Sequence, residues 1–91
     1  PAAANRPGAG SGPWALSIAS FRELDAAQQL MRRMAAAGFS AERVPVTVKG
    51  KPWHRVMVLG FDSVAEAKAG AADIEAKLQL SGAWVLRYTK Q

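Results

Sequence analysis

The hydrophobic residues change their spacing twice along the chain, from the period of a β-strand to that of an α-helix, and this repeated change constrains the fold most. From Trp14 to Phe21 bulky apolar residues alternate with small ones, as in a strand with one face in the core. Beyond Phe21 the apolar residues fall three and four positions apart, as on the buried side of a helix. The same change recurs at Phe61, 40 positions later. The sequence therefore has two halves that each lead from a strand into a helix.

The first half predicts a strand, a helix and a second strand. The inner side of the helix comprises Leu24, Ala27, Leu30, Met31 and Met34. Its outer side is expected to carry Arg22, Gln28, Arg32 and Arg33. Gly38 stands where a left-handed residue would end the helix. Residues 39–48 predict the second strand. Because proline cannot donate a ladder hydrogen bond, we expect this strand either to lie at an edge of the sheet or to be interrupted at Pro45.

The second half repeats this order after a turn at residues 49–51. Residues 52–59 predict the third strand, and residues 83–88 predict the fourth. Between them Ser63 and Glu66 predict a capping box at the start of the second helix. The inner side of that helix comprises Val64, Ala67, Ala71, Ile74 and Leu78, and Gly82 marks its exit.

The order β-α-β-β-α-β predicts an α+β fold in which a four-stranded antiparallel sheet carries both helices on one face, as in RNP and ferredoxin-like domains. Its other face is left open, and function is to be sought there. We expect one folded domain over residues 14–91, because 91 residues suit a single core. Residues 1–13 are rich in Pro, Gly and Ala and predict a flexible linker. Since Pro1 is no natural start, we expect a longer parent protein.

The residues present predict a binding module without catalytic, metal or cofactor sites. The chain has no cysteine and a single histidine, His54, which excludes a disulfide framework and a zinc ligand set. The sequence also lacks a pair of carboxylates in a context that would suggest acid–base catalysis. The net charge of +5 favours anionic partners, although it also serves solubility. No apolar run reaches the length of about 20 residues that spans a bilayer.

The tryptophans are the most informative side chains. Trp53 shares the strand period of Arg55, opposite the core pair Val56 and Val58, so we expect Trp53 on the open face. Trp84 has two interpretations, since either it or its neighbour Val85 faces outward. An exposed indole offers a stacking surface and an N–H donor, which suit sugars and nucleobases alike. Trp14 is expected in the core.

Three segments resemble SPOR domains. Residues 14–22, WALSIASFR, are similar to the family's first strand, residues 35–39, AAAGF, to its helix exit, and residues 53–61, WHRVMVLGF, to its third strand. The resemblance spans residues 14–88. Residues 50–53 and the pair Ala83-Trp84 look most like the branch represented by the cell-division protein DamX.

The resemblance implies a non-catalytic module that binds peptidoglycan glycan strands lacking stem peptides and targets its parent to the division septum. It places the binding positions at Ser17, Ser20, Trp53 and Trp84. Arg55 shares the strand period of Trp53 and is a further candidate, because its guanidinium could pair with a glycan carboxylate. Ser17 and Ala19 depart from the family's Gln and Gly, which predicts altered affinity. We expect a monomer in the periplasm, joined to the inner membrane only through an anchor outside this segment.

Two other functions remain open. The basic charge and strand order would suit a nucleic-acid module, but the third strand lacks the internal aromatics of RNA-recognition motifs, so we expect no nucleic-acid partner. Docking to divisome or other envelope proteins, through the edge strand or the sheet face, could coexist with glycan binding.

Overall fold

Six elements follow one another in the predicted order βαββαβ in the computed structural model, which describes residues 12–88. They are β1 (Gly12–Phe21), α1 (Leu24–Ala36), β2 (Glu42–Val48), β3 (Lys51–Gly60), α2 (Val64–Leu78) and β4 (Trp84–Arg87). Two segments lie outside the described part: residues 1–11, which make up most of the predicted linker, and residues 89–91. Gly12 and Pro13, assigned to the linker from sequence, belong to β1.

The four strands form one antiparallel sheet in the order β2-β3-β1-β4. β2 lies at an edge, which is one of the two alternatives that Pro45 predicted. Side chains of β1 and β3 pack with both helices in one core on one face of the sheet. Its buried members include Leu16, Ile18, Val56, Val58, Ala27, Leu30, Met34, Ala67, Ile74 and Leu78. The predicted fold class is thereby confirmed, and within residues 12–88 the other sheet face carries no helix.

A β-bulge at Ile18 changes the alternation predicted for β1. Ser17 pairs with Met57 but Ala19 pairs with Val56, so two steps along β1 correspond to one step along β3. Ile18 and Ala19 consequently both contact the helix-side core. The alternation predicted from Trp14 to Phe21 would place Ala19 on the side of Ser17, and that part of the prediction is wrong because strict alternation has no place for the extra residue.

The end of α1 is fixed by Gly38 as predicted. Gly38 has a φ of 96°, its N–H bonds the carbonyl of Ala35 at 3.1 Å, and the N–H of Phe39 bonds the carbonyl of Met34 at 2.9 Å. This pair of bonds is a Schellman motif. It turns Phe39 into the core, so β2 begins later than predicted. Leu24 stays 40% exposed, against the prediction, because it lies at the first position of α1, at the margin of the core.

The start of α2 is capped by Ser63, whose Oγ accepts a hydrogen bond from the Glu66 N–H at 3.1 Å. The Glu66 carboxylate accepts the N–H of Asp62 at 3.2 Å, one residue before the donor that a capping box predicts. The helix ends at Leu78 through the left-handed Gln79, before Gly82 is reached. Both ends are thus fixed by local hydrogen bonds and backbone conformation.

Gly70 of α2 is buried against the ring of Phe61. A Cβ at Gly70 would lie 2.9 Å from Cε1 and Cζ of that ring, which is closer than packed carbons approach. Glycine therefore leaves room for the buried Phe61 ring, which would have to shift if alanine stood here, although glycine lowers helix propensity by about 1 kcal/mol relative to alanine.

We expect Gly70→Ala to lower the free energy of unfolding. Overpacking costs about 1–3 kcal/mol, which exceeds the gain of about 1 kcal/mol in helix propensity. Urea unfolding followed by tryptophan fluorescence measures the difference. In a Phe61→Leu background the same change should raise stability, since the ring is gone. A gain of about 1 kcal/mol in the presence of Phe61 would contradict the close contact.

Candidate functional site

The five residues of the predicted site all lie on the sheet face that the helices leave open. Ser20 pairs with Arg55, and Ser17 pairs with both Met57 and Trp84. Trp53 lies two residues from Arg55 on β3 and pairs with Val46 at the edge. Trp84 is 52% exposed and Val85 packs against the helix-side core, so Trp84 is the residue that faces outward. The bulge at Ile18 is what brings Ser17 and Ser20 to one face, because strict alternation would separate them.

The open face is divided into an apolar half and a polar half. Near the start of β1, Ala15, Met57 and Leu59 form a second buried cluster, against which Val44, Leu86 and Tyr88 pack. The Tyr88 N–H donates to the Pro13 carbonyl at 2.8 Å, and this bond holds Tyr88 against the cluster. The polar and aromatic side chains occupy the other half, toward the end of β1 and the start of β3. A ligand on this face would meet its polar contacts there.

Arg55 and Trp84 form one cation–π pair on the polar half. The guanidinium carbon of Arg55 lies 6.0 Å from the centroid of the Trp84 ring. Because β1 separates β3 from β4, the Arg55 side chain must extend across β1 to reach Trp84. An arginine in this position supplies a positive charge beside an exposed aromatic face.

Arg22 and Trp53 form a second cation–π pair, which the hydrophobic spacing did not predict. The guanidinium carbon of Arg22 lies 5.4 Å from the centroid of the Trp53 ring. Arg22 was expected on the outer side of α1, but α1 begins only at Leu24. Arg22 instead follows Phe21 of β1 on the opposite side of the chain, on the open face. Strict alternation from Trp14 would have placed Arg22 on the helix side, so the only signal in the sequence is local: two polar residues, Ser20 and Arg22, flank the apolar Phe21.

The two serines differ in their access to solvent. Ser17 is only 4% exposed, on the floor of the face, whereas Ser20 is exposed. A hydroxyl must reach a ligand oxygen to within about 3 Å to bond it. Of the two, Ser20 is the residue whose position allows such contact without rearrangement.

The electrostatics of the polar half come mainly from Arg22 and Arg55. Nε of Arg55 is buried and has no hydrogen-bond partner among residues 12–88. A buried unpaired donor is costly and therefore calls for a functional explanation. Glu42 pairs with Met57 and brings one carboxylate to the same face at the β2 edge. Lys49 and Lys51, at the hairpin tip beyond Trp53, add two exposed positive charges.

The remaining candidate residues lie elsewhere. Trp14 contacts the helix-side core and stacks under Arg87 at 5.6 Å, which is the structural position expected for it. His54 pairs with Pro45 on β2, and its Nδ1 lies 3.1 Å from a guanidinium nitrogen of Arg43. Residues 12–88 contain no cluster of three or more metal-ligating side chains. No helix of the same range is long and apolar enough to span a membrane.

Comparison with known proteins agrees with this architecture. The family model described as "SPOR domain" matches residues 10–87. Among solved structures, the crystal structure of the RlpA SPOR domain from Pseudomonas aeruginosa superimposes with a TM-score of 0.70 at 20% identity, covering 81% of this chain and 97% of that one. No curated protein matches the chain significantly.

The chain therefore belongs to the SPOR domain family. SPOR domains are peptidoglycan-binding modules, generally non-catalytic, that occur in periplasmic or envelope proteins. The likeness to the RlpA domain concerns the fold, which that structure shares with this chain.

We expect Arg55→Met to leave the free energy of unfolding unchanged or to raise it by about 1 kcal/mol. The change removes a buried donor that has no partner, at the cost of one partly exposed cation–π contact. The matched control is Arg33→Met, because the guanidinium of Arg33 donates to the Leu78 carbonyl at 3.1 Å. The control should lose about 1 kcal/mol in the same urea titration. A larger loss for Arg55→Met than for the control would mean that Arg55 serves stability.

Proposed function

We propose that this domain binds peptidoglycan glycan strands that lack stem peptides, on the polar half of the open face. The observation that carries the proposal is the pair of Arg–Trp stacks, Arg22 with Trp53 and Arg55 with Trp84, on a sheet face without helices. Together they combine two aromatic platforms with two positive charges.

The chemistry of a denuded strand fits this combination. Loss of the stem peptide frees the lactyl carboxylate of each muramic acid, so the strand becomes a polyanion. Each sugar ring also has an apolar C–H face that can lie on an indole. A guanidinium beside the indole can then form a charge-assisted hydrogen bond with the carboxylate. Stem-peptide attachment converts that carboxylate into an amide and removes the charge.

Each predicted residue has a role in this arrangement. Trp53 and Trp84 supply stacking surface, Arg55 binds a carboxylate, and Ser20 bonds a sugar hydroxyl. Ser17, which stands at the family's Gln position, forms the floor between Ser20 and Trp84. Its short, buried side chain explains why we expect a weaker or altered polar contact here than in family members that carry Gln.

The cellular role follows from the ligand. Denuded strands accumulate at the division septum, so binding them would direct the parent protein there, within the periplasm. We propose that the domain lies in the branch represented by DamX, supported by residues 50–53 and the pair Ala83-Trp84. An anchor in the inner membrane, further divisome partners and a monomeric state complete this proposal.

Nucleic-acid binding is disfavoured by a specific observation. RNA-recognition motifs stack bases on aromatics in the central strands. On β3 the open-face positions after Arg55 are Met57 and Leu59, which belong to the buried cluster and are 0% and 8% exposed. They offer no accessible ring on which a base could stack.

Co-sedimentation with purified sacculi tests the proposed function. We expect more of the domain to sediment after an amidase has removed the stem peptides, because the treatment exposes carboxylates. Addition of RNA at low salt should not compete. Sedimentation that falls after amidase treatment would contradict the proposal and indicate recognition of the peptides.

Trp53→Ala and Trp84→Ala should each weaken binding to stripped sacculi by about 2 kcal/mol, or about 30-fold in Kd, if both indoles are central contacts. Leu24→Ala is the matched control, since Leu24 is an exposed apolar residue at the start of α1, outside the open face. It should change Kd less than twofold. Unchanged binding by either tryptophan variant would remove that residue from the site.

A further inference from the structure

Arg22 is the one residue of the two Arg–Trp stacks that the predicted site does not contain. It follows Phe21, which pairs with His54, and therefore stands at the level of Trp53 on the neighbouring strand. Its side chain is exposed, and its guanidinium covers part of the Trp53 ring. The position is set by backbone pairing, because the pairing of β1 with β3 continues to Phe21.

The two arginines extend in opposite directions across the sheet. Arg22 reaches from the end of β1 to Trp53 on β3, and Arg55 reaches from β3 across β1 to Trp84 on β4. Trp84 is level with Ser17 and Met57, four residues along β3 from Trp53. With about 3.3 Å per residue and about 4.8 Å between strands, the two indoles are attached roughly 16 Å apart.

We propose that Arg22 is a specificity-determining residue of the glycan site, which binds a free carboxylate of the ligand at the Trp53 end. This inference rests on the proposed function. The stack holds the guanidinium over one face of the indole, and because the Arg22 side chain is exposed, its N–H donors are accessible to a ligand. A carboxylate on a sugar stacked near Trp53 would then accept a charge-assisted hydrogen bond. Arg22 would distinguish a denuded sugar from one whose carboxylate is an amide.

The test compares two forms of one ligand. Amidase-stripped glycan strands are used either intact or after chemical reduction of their muramic carboxylates to alcohols. Arg22→Met keeps an apolar side chain over Trp53 but removes the charge and the donors. We expect this variant to bind intact strands about tenfold more weakly than the unmodified domain does. On reduced strands the variant and the unmodified domain should bind with the same Kd. Binding of the variant to intact strands should also depend less on salt.

The control is Arg32→Met, which makes the same charge change at an exposed position of α1 away from the site. It should change the Kd for either ligand less than twofold. Arg22→Lys retains the charge but not the planar group, and should recover part of the binding to intact strands. Unfolding curves of all variants should coincide, since both arginines are exposed.

Three results would contradict the role of Arg22. An equal loss on intact and reduced strands would mean that Arg22 only positions Trp53. No loss on either ligand would remove Arg22 from the site while leaving the proposed function intact. If the unmodified domain binds neither ligand, the proposed function itself fails, and the specificity of Arg22 fails with it.

Discussion

The pairing of β1 with β3 is the constraint on which the rest of the structure depends. These two central strands carry the helix-side core through Leu16, Val56 and Val58, and they carry the polar half of the open face through Ser20 and Arg55. The bulge at Ile18 allows one strand to do both. It places two successive apolar residues against the helices and shifts the following residues so that Ser20 and Arg22 face outward. A bulge beside a functional surface is common because it re-aims side chains without breaking the sheet.

Much of this arrangement was predictable from hydrophobic spacing. The changes of period at Phe21 and Phe61 predict the element order, Pro45 favours the edge strand, and Gly38 predicts the helix end. The bulge was not predictable, because spacing alone cannot show where two residues face one partner. Arg22 was misplaced for a related reason: α1 begins two residues later than its polar pattern suggests, and the strand period continues up to that point. The bulge and the side on which Arg22 lies both depend on how β1 pairs with β3, and residues so far apart in the sequence are brought together only by tertiary packing.

Stability and binding make different demands on this small sheet. The apolar half of the open face is closed by Leu86 and Tyr88 and contributes to the fold. In the polar half, a buried donor of Arg55 has no partner among the described residues, and the Trp84 ring stays exposed. Neither feature stabilises an isolated domain, since a buried unpaired donor costs free energy. Both are explained if an anionic, sugar-bearing ligand completes the polar half, because it would cover the indoles and neutralise the guanidinium groups.

The three tryptophans provide internal probes for this account, since two lie on the open face and Trp14 lies on the helix side. The most direct measurement is an NMR titration of the domain with denuded glycan oligosaccharides, in which the indole N–H signals are followed. The account predicts that the signals of Trp53 and Trp84 shift with one common Kd while that of Trp14 stays unchanged. Shifts confined to Trp14 and the helices, or binding that leaves all three signals in place, would contradict the open face as the binding surface.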